Sequence, residues 1–169
     1  QFHPEVVHTP QGTELLRCFL FDVCRCRDNW EMAQFVKESV ARELGWQDNP
    51  NVTWQDIASA AQSGKLRYAM TNPAASNSGF TALVGVATAL TGSGDALKVS
   101  DIRGDELKGF FKGQALTAGS SGWLADSYIQ SQDALDGVVN YESVLLNLNE
   151  GGKLKEKLTL IYPKDGIIT

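Results

Sequence analysis

The chain has 169 residues, and at 43% hydrophobic and 21% charged it has the composition of a folded domain, which excludes a chain disordered by composition. Its formal charge of −5 argues against a broad nucleic-acid surface, and no apolar run approaches the ~18 residues of a membrane span. Neither nucleic acid nor a membrane-crossing helix is therefore expected.

Residues 1–12 are polar and turn-rich, with Pro4, Pro10 and Gly12. The run TELLRCFLFDVC at 13–24 sets Leu15, Leu16, Phe19, Leu20 and Val23 at helical spacing, with Thr9 or Thr13 as cap. WEMAQFVKESVAREL at 30–44 keeps the same period through Met32, Phe35, Val36, Val40 and Leu44, which predicts a second helix stopped by Gly45. After a loop at 46–52, Thr53 caps a short helix ending at Gly64, and Leu66 to Met70 reads as a strand. Ser76-Asn77-Ser78-Gly79 opens a long helix of small residues, and Asp101 to Phe111 forms another. Ala115-Leu116-Thr117 is a brief apolar link, and Gly119-Ser120-Ser121-Gly122 opens the helix WLADSYIQSQ. A strand at 137–141, a helix at 142–148 and a strand at 158–162 complete the chain. Strand, loop and helix alternate from residue 53 onward, the pattern of an α/β layer on an open sheet. Trp54 and Tyr68 read as core, as do Trp123 and Tyr141, for which lining of a cleft is the alternative. Asp101, Asp105 and Glu106 with Lys108 read as a solvated helix start.

Cys18, Cys24 and Cys26 and both histidines, His3 and His8, fall within the first 26 residues. An odd, clustered count is a poor disulfide framework, and the set lacks a recognised zinc spacing. No metal and no cofactor are expected, and the cysteines read as packed helix residues.

The run Gln1-Phe2-His3-Pro4-Glu5, followed by His8-Thr9, Gly12, Leu15-Leu16, Phe19, Asp22-Val23-Cys24, Cys26 and Trp30, resembles the end of the class I glutamine amidotransferase domain, and within that class the GMP synthetases. The resemblance covers roughly residues 1–35. It implies that His3 and Glu5 are the base and the orienting carboxylate of a Cys-His-Glu triad. No cysteine here sits on a glycine-flanked elbow, so His3 and Glu5 are expected to be relics and the chain not to be an enzyme.

From about residue 37 a second resemblance takes over. Met70-Thr71-Asn72-Pro73-Ala74-Ala75-Ser76-Asn77-Ser78-Gly79-Phe80, the run from Gly113 to Asp126, Val139 to Val144 and Tyr162-Pro163-Lys164-Asp165-Gly166 are similar to one lobe of bacterial extracellular solute-binding proteins, the kind fused to von Willebrand factor A domains. That implies an open-sheet lobe of the type II periplasmic-binding-protein kind, with helices on both faces. It also implies a ligand contact set of Thr71, Asn72, Ser76, Asn77, Ser78, Gly79, Ser120, Ser121 and Tyr141. Physically, Ser76-Asn77-Ser78-Gly79 and Gly119-Ser120-Ser121-Gly122 put free N–H groups, hydroxyls and dipole ends at two helix starts, which suits an anion. The same residue types are also the commonest helix caps.

The leading expectation is therefore a lobe that binds a small anionic solute, weakly in isolation. The alternatives are an inactive fragment or chimera of GMP synthetase glutaminase, and a structural module that forms homodimers through its exposed inter-lobe face. The division falls as a helical extension at 1–40 and a lobe at 41–169, with the join between about 35 and 45. The two resemblances imply opposite compartments. With residues 1–35 as an appendage, a chain starting near Val52 is expected to fold.

Overall fold

The computed structural model describes residues 11–25, 32–92 and 97–165. The chain divides into two compact units, Gln1–Trp30 and Glu31–Thr169.

In the first unit, α1 (Gly12–Arg17) runs straight into a π-helical turn, Cys18–Val23. The change of period shows in the Cys24 N–H, which donates to the Phe19 carbonyl, five residues back, at 2.9 Å. The predicted helix is thus present, but its cap is Gln11 in the left-handed region (φ 61°) instead of a threonine. The cysteines are not packed as expected: Cys18 is half-buried and Cys24 exposed, while Cys26 lies outside the described residues.

The second unit is a mixed α/β body. Its strands are β1 (Met32–Lys37), β2 (Tyr68–Thr71), β3 (Gln114–Ala118), β4 (Gly137–Tyr141) and β5 (Leu158–Ile161). They form one five-stranded sheet in the order β3-β2-β4-β1-β5. β2 runs parallel to β3 and β4, and β1 runs antiparallel to both its neighbours. The predicted helix at 30–44 is corrected here. Its first half is the strand β1, and only its second half is helical, as α2 (Glu38–Glu43). The apolar residues at 32, 35 and 36 fit a helical period, but pairing on both edges with β4 and β5 overrides that local preference. The brief link at 115–117 is likewise a full edge strand, β3.

The remaining helices are α3 (Trp54–Gln62), α4 (Asn77–Thr91), α5 (Gly104–Lys112), α6 (Ser121–Gln130) and α7 (Glu142–Glu150). α3 starts where its sequence says it should. The Asp56 N–H donates to Thr53 Oγ1 at 3.1 Å, and the Thr53 N–H donates to Asp56 at 2.9 Å, a complete capping box.

Alternate residues of the inner strands feed two separate cores, one on each face of the sheet. Tyr68, Met70 and Val139 face one with Trp54, Ile57, Val86 and Phe110. Ala69 and Val138 face the other with Leu124, Tyr128 and Leu145. Helices therefore cover both faces, α3, α4 and α5 on one and α6 and α7 on the other. Trp54 and Tyr68 are core residues, as read. Phe110 lies 5.0 Å from the Tyr68 ring and edge-on to Trp54 at 6.3 Å. The Tyr68 hydroxyl donates to the Phe110 carbonyl at 3.0 Å, so the buried polar tip is satisfied. Burial pushes its phenol well above the usual tyrosine range.

Candidate functional site

The parallel strands β2 and β4 end side by side, and β3 ends next to β2. At these ends lie the residues that the sequence singled out. Thr71 closes β2, Tyr141 closes β4, Ser76 precedes α4 and Ser120 precedes α6. The two helix starts converge because β2 and β3 are adjacent and each hands its chain directly to a helix.

The centre is Ser78. Its Oγ lies 2.8 Å from Thr71 Oγ1, 3.1 Å from Ser76 Oγ and 2.9 Å from Ser121 Oγ. A hydroxyl has one proton to give and two lone pairs to offer. Three neighbours fill that capacity. Thr71 and Ser78 are buried, while Ser76 and Ser121 are half-buried. Ser76 thus turns its hydroxyl to Ser78 and makes no side-chain cap on α4. Ser120 does cap α6, accepting from the Trp123 N–H at 3.3 Å.

The rim is made of amides. Asn77 Nδ2 donates to the Tyr141 hydroxyl at 3.1 Å. Asn72 folds its own loop, its Oδ1 accepting from the Ala74 N–H at 2.9 Å. Asn140, buried in β4, donates from Nδ2 to the Ser121 carbonyl at 3.0 Å and accepts the Tyr141 N–H at 2.9 Å. Asn140 thereby ties the α6 start to β4. Every residue in this cluster is neutral.

Two expectations change in this setting. Gly79 stood in the expected ligand contact set. Instead, a methyl at its Cα would lie 2.4 Å from the Thr71 carbonyl oxygen and 2.8 Å from Thr71 Oγ1, so the chain itself occupies that space. Trp123, read as core, is 64% exposed, on the first turn of α6. Phe80 is exposed on the first turn of α4.

His3 and Glu5 lie outside the described residues. Cys18 offers little as a nucleophile. Cys18 Sγ sits 3.6 Å from a Glu14 carboxylate oxygen. Desolvation, then the charge of Glu14 and contacts with Asp22, push its thiol up, away from the reactive thiolate. Among the described residues no group of three or more histidine, cysteine or acidic side chains could hold a metal. Among the same residues no helix is long and apolar enough to cross a membrane.

No family model matches the chain, and no solved structure matches it. Curated proteins do. Over 40 residues the chain is 52% identical to a GMP synthase (glutamine-hydrolysing) of Ruminiclostridium cellulolyticum, and over 41 residues 58% identical to that of Heliobacterium modesticaldum. Over 44 residues it is 55% identical to the GMP synthase of Thermomicrobium roseum. These stretches are 24–26% of this chain and 8% of each relative, so the chain spans about 8% of the length of the curated relatives it matches. These relatives are GMP synthases, and none of them is a solute-binding protein. That overturns the leading expectation of an extracytoplasmic solute-binding lobe, and the transport role goes with it. The alternative, a segment derived from GMP synthetase glutaminase, is the better supported of the two.

Proposed function

We propose that the N-terminal segment, roughly residues 1–30, is the closing segment of a glutamine amidotransferase domain of the GMP synthase kind. In this reading His3 is the base that takes the proton of a cysteine thiol, and Glu5 orients the His3 imidazole. The nucleophile is a cysteine carried by amidotransferase polypeptide outside these 169 residues. Taken alone, the chain hydrolyses no glutamine. The observation that carries the reading is the identity of 50% or more to GMP synthases over a stretch of 40 residues, together with the run His3-Pro4-Glu5. The raised thiol of Cys18 supports the view that this cysteine does not stand in for the missing nucleophile.

The test is ammonia release from L-glutamine. The chain alone is expected to give the blank rate. Mixed with the cysteine-bearing body of a GMP synthase amidotransferase domain, cut before its own His-Pro-Glu run, it is expected to restore release. His3→Ala should abolish that gain and Glu5→Gln should lower it by ~10-fold or more. Release that persists in His3→Ala sinks the assignment.

For residues 31–169 we infer a fold and no transport role: an open-sheet lobe of the type II periplasmic-binding-protein kind. Helices on both faces of the sheet support it, as do the loops gathered at the ends of its parallel strands. We read the hydroxyl cluster as a tie between β2, α4 and α6. An experimental structure in which β1 left the sheet would refute this fold.

A further inference from the structure

Among the described residues β5 ends the sheet on its side, with β1 on its inner edge and no strand beyond it. Backbone groups of an antiparallel strand turn alternately to its two edges. The Leu158 N–H donates to Asn149 Oδ1 at 3.0 Å, and the Leu158 carbonyl accepts from Asn149 Nδ2 at 2.9 Å. The Asn149 amide thus closes the outer edge at Leu158 as a neighbouring strand would. The Lys157 carbonyl points the other way, to the Glu38 N–H at 3.1 Å. This phase turns the N–H and carbonyl of Leu160 outward, where no strand meets them. A groove of about 310 Å³ lies at this place, lined by Leu160 and Ile161 of β5 and by Trp46, Asp48 and Pro50 of the turn after α2. Trp46 and Ile161 are buried and apolar. Asp48 is exposed, and no cation among the described residues pairs with its carboxylate.

We propose that the outer edge of β5 is a strand-addition site for an extended peptide that carries an apolar residue and, two positions along, a lysine or arginine. An extended chain laid beside β5 satisfies both outward groups of Leu160 whatever its sequence, and side chains two apart share the face that meets the groove. The apolar residue covers Trp46 and Ile161. The basic residue meets the unpaired Asp48, on a chain whose net charge of −5 favours a cationic partner. Asn149 sets the limit of the site: with Leu158 already bonded, the peptide pairs from Leu160 toward Tyr162. The same limit disfavours a second copy of β5. Two such strands paired antiparallel about Leu160 would set Leu158 of each opposite Tyr162 of the other, where the Asn149 amide already stands.

The experiment titrates the isotope-labelled full chain with the peptide Thr-Val-Thr-Lys-Thr-Val-Thr, blocked at both ends, and follows backbone amides by NMR. In this probe the valines and the lysine fall on one face of the extended chain. Saturable shifts centred on Leu160 are expected, with slowed exchange of its amide proton. Two further peptides carry N-methyl groups on alternate residues, one on the threonines and one on the valines and lysine. Only one of these sets faces β5, so one methylated peptide should bind ~10-fold or more weakly and the other like the parent. Asp48→Asn should weaken the parent peptide ~2- to 5-fold. Asparagine tolerates the left-handed backbone of this position (φ 57°), so thermal melts of the variant should match the parent chain. No shift at Leu160 in millimolar peptide, or equal binding of both methylated peptides, overturns strand addition. So does a Leu160 shift that follows protein concentration without peptide, which makes a second copy the occupant. A peptide with glutamate in place of lysine that binds as tightly as the parent overturns the basic partner.

Discussion

Asp136 grips Arg67 from three directions. Its carboxylate accepts from the Arg67 backbone N–H at 2.8 Å, from Nε at 3.0 Å and from Nη2 at 2.8 Å, while its own N–H donates to the Arg67 carbonyl at 2.7 Å. The pair locks the entry of β2 to the entry of β4, the two parallel strands at the middle of the sheet. Burial alone would raise the Asp136 carboxyl, but the hydrogen bonds and charge of Arg67 outweigh it and hold the group below its ordinary range.

That depression gives a pH dependence. A carboxylate held low in the folded state adds stability above the unfolded carboxylate range of about 3.9 and loses it as pH falls through the folded value. Asp136→Asn is expected to cost about 1–2 kcal/mol at pH 7, modest because the Arg67 side chain is half exposed. Urea melts of the two proteins should converge as pH drops below the ordinary carboxylate range. A gap that stays constant with pH would remove the ion pair as its cause.

The close approach of α4 to β2 at Gly79 gives a steric prediction. Gly79→Ala forces a methyl into the Thr71 carbonyl and is expected to destabilise by about 1–3 kcal/mol. Gly122→Ala, with open space around its Cα, should stay within about 0.5 kcal/mol of the parent. Thermal melts of both decide it, and equal shifts would refute the contact.

The hydroxyl cluster gives a ranked pair. Ser78→Ala strips one partner from the buried Thr71 hydroxyl and from two half-buried serines at once. Its expected cost is about 1–3 kcal/mol. Ser76→Ala removes a single rim bond and should cost less than about 1 kcal/mol. The reverse order in chemical denaturation would show that Ser78 is not the hub.

Truncation separates the two units. A chain lacking residues 1–30 keeps all five strands of the described sheet and is expected to melt cooperatively. A chain starting near Val52 lacks β1, which pairs on both edges within the sheet, and is expected to lose its cooperative transition. The sequence alone had suggested that the shorter chain would fold. A cooperative calorimetric peak from it would show that β1 is dispensable.

Where local chemistry and tertiary setting agree, the sequence was readable. The capping box of Thr53 and Asp56 marked the start of α3, and the run of Gly137 to Tyr141 marked β4 to the residue. Where they disagree, it was not. Met32, Phe35 and Val36 repeat with a helical period, and only the distant strands β4 and β5 make them a strand. β3 holds one large apolar residue, Leu116, because an edge strand has less to bury. In the candidate site the cluster was legible as two loops rich in hydroxyls. That Ser78 uses its hydrogen-bonding capacity inside the protein was not, since it depends on Thr71 and Ser121 meeting across two elements. The resemblance to GMP synthases was the opposite case, carried by the order His3-Pro4-Glu5 and needing no fold to be seen.

The place of β1 in the sheet also sets the order in which the body can assemble. Val36 pairs with Gly137 and Lys37 with Leu158, so each edge of the earliest strand waits for a partner about a hundred residues further on. On the ribosome β1 emerges before either partner and stays unpaired in this sheet until about a hundred further residues have followed. High separation between contacting residues slows folding, and an unpaired strand in the meantime is open to wrong partners. Refolding from denaturant should accordingly be slow, and its yield should fall as protein concentration rises.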